Sequence, residues 1–220
     1  PRYQTRPHRE VFYIGIDSCV PDMEIESRTS RIPLIREAYD DAVLGEKIKE
    51  KLSFIMHRNY GDFINYWNER KSYKGLTYGA VQYPSLYMGA GEQRIIKFLE
   101  TIYSIPDYSL ILIDELDLTL HTEALLRLMQ VLNDECNTRN IQIVFTSHRE
   151  ELLDCNFINI RHLVNDTNGK TSICLERTTP DCIKRLTGIC PKPLEIMVED
   201  NLAEALVRKI LRTHNLEQSC

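Results

Sequence analysis

Two short apolar runs, each followed directly by polar residues, most constrain the fold of this chain. Residues 110–113 read Leu-Ile-Leu-Ile and are followed by two acids at 114–115. Residues 141–145 form the second run and are followed by Thr-Ser-His at 146–148. Such runs are typical of strands in a parallel sheet, and the apolar spacing of residues 122–136 between them predicts a helix. This alternation predicts an α/β fold with parallel strands joined by a right-handed crossover.

Composition excludes several classes of protein. Hydrophobic residues make up 43% and charged residues 27% of the 220 residues, as in soluble globular domains. No apolar run approaches the roughly 20 residues of a membrane span, and the N-terminus has no signal-type segment, so we expect a cytoplasmic protein that does not enter membranes. The net charge of −5 argues against a surface that coats DNA. Seven cysteines without a CxxC pair indicate neither a zinc site nor a disulfide framework.

The remaining patterns suggest the order of the other elements. Residues 20–90 are expected to form a lobe of helices and loops, in which residues 34–57 are helical with an interruption at Gly45, residues 62–70 are helical, and residues 71–87 form a loop or short hairpin. Before the two apolar runs we expect a strand at 11–16 and a helix at 91–105. After them we expect a hairpin of residues 157–165 and 171–177, a linker at 180–193, a strand at 194–198 and a helix at 200–213.

The residues that follow the two apolar runs can do chemistry together. The carboxyl ends of parallel strands meet at one edge of the sheet, where ligands bind. Asp114 there can hold Mg²⁺, which prefers carboxylate and water oxygens, and Glu115 can polarise a water molecule. His148 would lie at the same edge and could donate a hydrogen bond to a phosphate. Each signal alone is weak, because many strands simply end in polar residues.

A third element precedes both runs. Gly89, Ala90 and Gly91 open the expected helix and are followed by Glu92 and Gln93. Small residues at a helix N-terminus let main-chain N–H groups approach an anion, which the helix dipole also attracts.

The order and spacing of these three elements resemble the C-terminal half of an ABC-type ATPase of the SMC, RecF and OLD group, most closely the PtuA ATPases of Septu and retron anti-phage systems. The resemblance implies a parallel-sheet P-loop fold with a signature lobe, and ATP and Mg²⁺ as cofactors. It assigns residues 89–93 to the signature motif, Asp114 to the Mg²⁺ ligand, Glu115 to the catalytic base and His148 to the switch histidine. Residues 116–121 then correspond to the D-loop, which makes Asp117 a further nucleotide-site residue.

Two departures from this pattern matter. Gly89 stands where the signature motif usually has Ser, and Leu116 stands where Pro is usual. The phosphate-binding motif GxxxxGK[ST] is also absent from the sequence, because the only Gly-Lys-Thr, at 169–171, has Val164 in place of the first glycine. We therefore expect residues 1–179 to be the C-terminal portion of an ATPase head whose phosphate loop lies upstream of Pro1.

Residues 194–220 resemble the start of a Toprim domain. Glu199 follows an apolar strand and precedes a helix, where such a Glu begins a metal site in OLD nucleases, but Asp200 replaces the usual Gly and no DxD pair follows. The PtuA resemblance implies an ATPase that pairs its heads in a homodimer or larger oligomer, gates an HNH nuclease of the PtuB type, and contacts DNA or retron msDNA. Two alternatives stay open: an OLD-type nuclease that cleaves DNA itself, and a scaffold without catalysis.

Overall fold

The computed structural model describes residues 8–25, 34–67, 71–165, 171–174, 198 and 200–213. The chain divides into two compact units, Pro1–Leu152 and Leu153–Cys220. The strands are β1 (Val11–Ile14), β2 (Ile35–Ala38), β3 (Tyr60–Trp67), β4 (Ser72–Tyr78), β5 (Val81–Pro84), β6 (Leu110–Ile113), β7 (Gln142–Phe145), β8 (His162–Asn165) and β9 (Thr171–Cys174). The α-helices are α1 (Asp22–Ile25), α2 (Ala42–Met56), α3 (Ala90–Ser104), α4 (Thr122–Arg139) and α5 (Asn201–Thr213).

The two apolar runs of the sequence are neighbouring strands of one parallel sheet. Its order is β1-β6-β7, and Ile113 of β6 pairs with Ile14 on one side and Phe145 on the other. The helix α4 connects β6 to β7, as expected from the sequence. The α/β architecture with a parallel sheet is therefore confirmed, and the carboxyl ends of β6 and β7 lie side by side.

The two faces of this sheet differ in burial. Ile111 and Ile113 of β6 are buried, together with the apolar sides of α3 and α4, and α2 contacts both helices. On the opposite face Val11 is 56% exposed, Tyr13 68% and Val144 53%. Parallel sheets are normally covered on both faces, so this open apolar face is a distinctive feature of the first unit.

The expected lobe of helices and loops at residues 20–90 is wrong in its central part. Residues 35–38, 60–67, 72–78 and 81–84 form a four-stranded antiparallel sheet in the order β2-β3-β4-β5, and of these strands only the hairpin of β4 and β5 matches the expectation. The helix expected at residues 62–70 is wrong for residues 62–67, which belong to β3, and residues 68–70 lie outside the described residues. The register of β3 shifts between Tyr60 and Phe63, so its buried residues do not follow the alternation of a regular strand.

The first long helix is also shorter than expected, and Gly45 does not interrupt it. Helix α2 begins at Ala42 because the side chain of Asp41 caps it, accepting a hydrogen bond of 3.0 Å from the N–H of Leu44. Gly45 is buried inside the helix, where a Cβ atom would lie 2.9 Å from the ring of Tyr39. Gly45 therefore allows an aromatic ring to pack directly on the helix backbone.

The second unit contains the expected hairpin and C-terminal helix. Strands β8 and β9 pair antiparallel, with Asn165 opposite Thr171. Asp200 caps α5, since its Oδ1 accepts a hydrogen bond of 2.7 Å from the N–H of Ala203. The expected linker at 180–193 and the candidate metal ligand Glu199 lie outside the described residues, as do residues 175–177 of the expected hairpin and residues 194–197 of the expected strand. The boundaries 1–179, 180–193 and 194–220 and the Toprim-like character of the last segment therefore stay predictions.

In the part of the chain that the structure describes, no helix combines the length and the apolar character needed to cross a bilayer.

Candidate functional site

The candidate site forms where β6 and β7 end. Main-chain hydrogen bonds between the segments that follow these neighbouring strands continue past the strand ends. The N–H of Thr146 donates to the carbonyl of Ile113 at 3.0 Å, and the N–H of Leu116 donates to the carbonyl of Thr146 at 3.0 Å. On the other side, the N–H of Asp114 donates to the carbonyl of Ile14 at 2.9 Å. The acidic residues after β6 are thus held in a fixed register with the polar residues after β7.

Thr146 joins the two acids directly, a role that sequence reasoning did not assign to it. Its hydroxyl donates a hydrogen bond of 2.7 Å to Oδ1 of Asp114 and accepts one of 2.8 Å from the N–H of Glu115. The one feature of the sequence that could have indicated this role is that Thr146 is the first polar residue after the apolar strand β7. One side chain therefore orients both the candidate metal ligand and the candidate base.

Glu115 and His148 approach each other at the rim of the parallel sheet, which is formed by residues 114–117 after β6 and residues 146–149 after β7. Oε1 of Glu115 lies 3.6 Å from Nε2 of His148, and their side chains are 32% and 76% exposed. Glu115 has a φ of 47°, which is uncommon for a residue other than glycine. The structure thus brings Asp114, Glu115 and His148 together, as the sequence pattern predicts.

Asp117 lies in a more closed environment beside Arg149. Its side chain is 12% exposed, and its Oδ2 lies 3.7 Å from Nε of Arg149, whereas its buried Oδ1 has no hydrogen-bond partner among the described residues. Arg149 also donates to the carbonyl of Leu120 at 3.1 Å and lies 3.8 Å from Glu151. Arg149, which sequence reasoning missed, thereby ties the segment after His148 to the loop after β6.

Glu151 is fixed at the edge of this network. A hydrogen bond from its own main chain and one of 2.8 Å from the hydroxyl of Thr122 lower the pKa of Glu151 below its ordinary value. The carboxylate is therefore charged at neutral pH and available to pair with Arg149.

The start of α3 packs against the loop that carries the acids. At Gly91 a Cβ atom would lie 2.8 Å from the carbonyl oxygen of Thr119, so only glycine fits this contact without movement of a main chain. Gly89 is the N-cap of α3, and nothing lies within 4 Å of a Cβ atom placed there. Gly91 therefore serves packing, whereas Gly89 leaves open space in front of the helix N-terminus.

The side chains of Glu92 and Gln93 are turned into the protein, unlike the expected cofactor contacts. Glu92 is 6% exposed and Gln93 is 4% exposed. The carboxamide of Gln93 donates to the carbonyls of Ser85 and Met88 at 2.8 and 3.0 Å and accepts from the N–H of Asp22 at 2.9 Å. A ligand at this helix start would thus meet Gly89, Ala90 and Gly91 rather than these two side chains.

Glu92 is the centre of a buried polar cluster. Its Oε1 accepts hydrogen bonds from Arg58 at 3.0 Å, from Tyr83 at 3.4 Å and from the hydroxyl of Tyr60, while its Oε2 accepts one of 3.3 Å from the N–H of Gly89. Burial and the charge of Glu92 raise the pKa of Tyr83 to about 12, and burial with the Glu92 hydrogen bond also raises the pKa of Tyr60. The cluster fixes the N-terminal turn of α3 to β3 and β5.

The donors at the rim fit Mg²⁺ better than a metal enclosed by protein ligands. Among the described residues there is no group of three His, Cys, Asp or Glu side chains that could hold a metal ion. Mg²⁺ is commonly bound through one or two carboxylates, with water and substrate phosphates as the other ligands. The Asp114 carboxylate, already bonded to the Thr146 hydroxyl, has the chemistry of such a ligand.

Comparison with known proteins agrees with this geometry. A family model described as AAA domain, putative AbiEii toxin, type IV toxin–antitoxin system matches residues 7–154, which include the parallel sheet, α3 and the whole rim. No curated protein matches the chain. Since the matched segment covers well over half of the sequence, the chain belongs to this family of P-loop ATPase domains.

Proposed function

We propose that this chain supplies the catalytic acids and the signature helix of an ABC-like ATPase head. The observation that carries the proposal is the convergence of Asp114, Glu115 and His148 at the carboxyl ends of two adjacent parallel strands. Ligands of open α/β sheets bind at this edge. The family assignment, which implies nucleotide use, supports the same conclusion.

Each residue at the rim has a role that its surroundings allow. A bound Mg²⁺ would neutralise phosphate charge, and Asp114 would hold it directly or through water. Glu115, one third exposed, would orient and deprotonate the attacking water. His148, which is mostly exposed and 3.6 Å from Glu115, would donate a hydrogen bond to the terminal phosphate.

The start of α3 suits a second nucleotide contact. The open space at Gly89, the N-cap of a 15-residue helix, would let the main chain of residues 89–91 approach the phosphate held by another head, although the N–H of Gly89 itself donates to Glu92. Paired heads would then close around two nucleotides, as the ABC resemblance implies. ATP binding and hydrolysis would shift the heads between closed and open states.

The open face of the parallel sheet supports a phosphate loop on a further segment of the ATPase. Val11, Tyr13 and Val144 expose apolar surface that a parallel sheet normally covers, and β7 is one of the two edge strands of this sheet among the described residues. A strand beside β7 and a helix on this face would complete the nucleotide site. The sequence itself contains no GxxxxGK[ST] motif.

We further propose that head closure gates an associated nuclease in a bacterial anti-phage system. The PtuA resemblance suggests an HNH nuclease partner and a nucleic acid trigger or target such as DNA or msDNA. The matched family's description names a toxin of a toxin–antitoxin system, which fits a protein whose harmful activity is held under control.

The test uses the complete ATPase that carries the phosphate loop. Glu115→Gln keeps the size of the side chain but removes the base, so we expect ATP to bind while the steady-state hydrolysis rate falls at least 100-fold. His148→Ala is expected to give a smaller loss. Hydrolysis by Glu115→Gln at the wild-type rate would remove Glu115 from this role, and an absence of ATP binding by the wild type would favour a scaffold.

The nuclease alternative rests on the second unit. Asp200 caps α5 directly after Glu199, an arrangement compatible with a Toprim strand–Glu–helix start. It predicts that the complete protein, without a partner, nicks plasmid DNA in Mg²⁺ or Mn²⁺ and that Glu199→Gln abolishes nicking. Intact plasmid after incubation with active ATPase would exclude this alternative.

A further inference from the structure

Arg94 is a fully buried side chain that contacts the loop carrying the acids. It lies on α3, one turn after the helix start, and its exposed fraction is 0%. Nη2 donates to the carbonyls of Asp114 at 3.0 Å and Glu115 at 2.6 Å, and Nη1 donates to the carbonyl of Leu118 at 3.1 Å and to Sγ of Cys19. One guanidinium thus binds three main-chain carbonyls within residues 114–118.

The environment of this guanidinium is unusual for an arginine. Buried arginines commonly pair with carboxylates, but no salt bridge of Arg94 occurs among the described residues, and its buried Nε has no hydrogen-bond partner there. Burial lowers the pKa of Arg94, whereas Cys19 and the nearby carboxylates, foremost Asp117, oppose this effect. A charge buried in this way, bonded mainly to main-chain carbonyls, is better suited to shaping a loop than to neutralising an acid.

The loop that Arg94 binds has a main chain that needs support. Glu115 has a φ of 47° and Thr119 a φ of 68°, both in the left-handed region that residues other than glycine rarely occupy. Such conformations persist where surrounding contacts hold them. Two of the three carbonyls that Arg94 binds belong to Glu115 and its preceding residue, so the guanidinium acts where the chain bends.

We propose that Arg94 is a positioning residue whose guanidinium holds residues 114–118 in the bend that directs the Glu115 carboxylate toward His148. This inference rests on the proposed ATPase function. Arg94 follows residues 89–93, which correspond to the signature motif. Its proposed role is on residues 114–118 of its own head rather than in contact with the nucleotide. Because a lysine has one ammonium group, it cannot bind three carbonyls in the geometry of the guanidinium fork.

Two substitutions in the complete ATPase test the role. Arg94→Met removes the charge and all donors, and Arg94→Lys keeps the charge with a different geometry. We expect kcat to fall at least 30-fold in Arg94→Met and at least fivefold in Arg94→Lys, while the dissociation constant of a non-hydrolysable ATP analogue stays within threefold of wild type. Such a split between turnover and binding is not expected from a general loss of stability.

Arg9 offers a matched control on the same sheet. Its guanidinium donates to the carbonyls of Tyr108 and Ser109 at 2.9 and 3.0 Å and to the side chain of Gln142 at 2.8 Å, at the amino end of β6. Arg9→Met therefore removes similar bonds to main-chain carbonyls far from the rim. We expect its kcat to stay within twofold of wild type even where its thermal midpoint falls.

A measurement independent of activity separates this inference from the proposed function. Hydrogen–deuterium exchange of the peptide covering residues 114–120 is expected to quicken at least fivefold in Arg94→Met and to remain unchanged in Arg9→Met. Unchanged exchange, kcat within twofold of wild type in Arg94→Met, or failure of both Arg94 variants to fold would each overturn the positioning role. If the wild type hydrolyses no ATP while the exchange result holds, the proposed function fails and the positioning of the loop stands.

Discussion

The hydroxyl of Thr146 donates a hydrogen bond of 2.7 Å to Oδ1 of Asp114, and Oγ1 of Thr146 accepts one from the N–H of Glu115. Thr146 is exposed, so its replacement affects the rim more than the core. We expect Thr146→Val, which has nearly the same shape, to lower kcat roughly 10- to 100-fold, because small misplacements of catalytic groups cost this much. Steady-state ATP hydrolysis by the complete protein measures the effect.

Thr146→Ser is the matched control for that substitution. It retains the hydroxyl, so we expect kcat within about threefold of wild type. Equal rates for Thr146→Val and wild type would show that the bond to Asp114 does not matter for turnover.

Substitutions at Gly91 and Gly89 are expected to affect the free energy of unfolding differently. Gly91→Ala would place a methyl group 2.8 Å from the carbonyl oxygen of Thr119. Moving a main chain costs about 1–3 kcal/mol, whereas the gain in helix propensity is at most about 1 kcal/mol. We therefore expect the free energy of unfolding to decrease, as measured by denaturant titration.

Gly89→Ser places its side chain in open space at an N-cap position. We expect the free energy of unfolding to stay unchanged or to rise by a few tenths of a kcal/mol.

Gly89→Ser also tests the proposed pairing of heads. The substitution restores the residue usual at the first position of the signature motif, and its hydroxyl would add a contact to the phosphate held by the other head. We expect ATP-dependent dimerisation of a Glu115→Gln background to strengthen roughly 5- to 150-fold, because a dimer that closes around two nucleotides gains two neutral hydrogen bonds of about 0.5–1.5 kcal/mol each. Analytical ultracentrifugation with and without ATP measures it, and strengthening without ATP would contradict the proposed contact.

The cluster around Glu92 predicts a loss of stability at high pH. The folded protein holds the pKa of Tyr83 at about 12, above the value near 10 of an unfolded chain. The protonated phenol therefore contributes stability that is fully present below about pH 10 and is lost as the pH rises toward about 12. Denaturant unfolding across this range should show a decline that is smaller in Tyr83→Phe.

Glu92→Gln is the companion variant for this cluster. It removes the charge that opposes ionisation of Tyr83 but keeps burial, the larger cause, so the pKa of Tyr83 is expected to fall only part of the way toward 10. The ultraviolet absorbance of phenolate, compared with Tyr83→Phe, measures the shift. An unaltered pKa would mean that burial alone raises it.

The sequence alone determined the part of the fold in which local pattern and tertiary environment agree. The apolar run of residues 110–113 is a strand with those same bounds, and the helical spacing of residues 122–136 lies within α4. Because adjacent parallel strands end at a common edge, the approach of Glu115 to His148 could be expected from their positions in the chain. The helix expected at residues 91–105 differs from α3 by one residue at each end, and the helix expected at residues 200–213 corresponds to α5, which Asp200 caps.

Tertiary structure decided what depends on partners distant in sequence. Tyr60, Phe63, Ile64 and Trp67 have the sequence spacing of one face of a helix, and only pairing with β2 and β4 makes them a strand. Gln93 and Glu92 turn inward because the fold brings Asp22 beside Gln93 and Arg58 beside Glu92. Thr146, Arg149 and Arg94 gained their roles in the same way, since a hydrogen bond between residues tens of positions apart leaves no mark on the local pattern of either one.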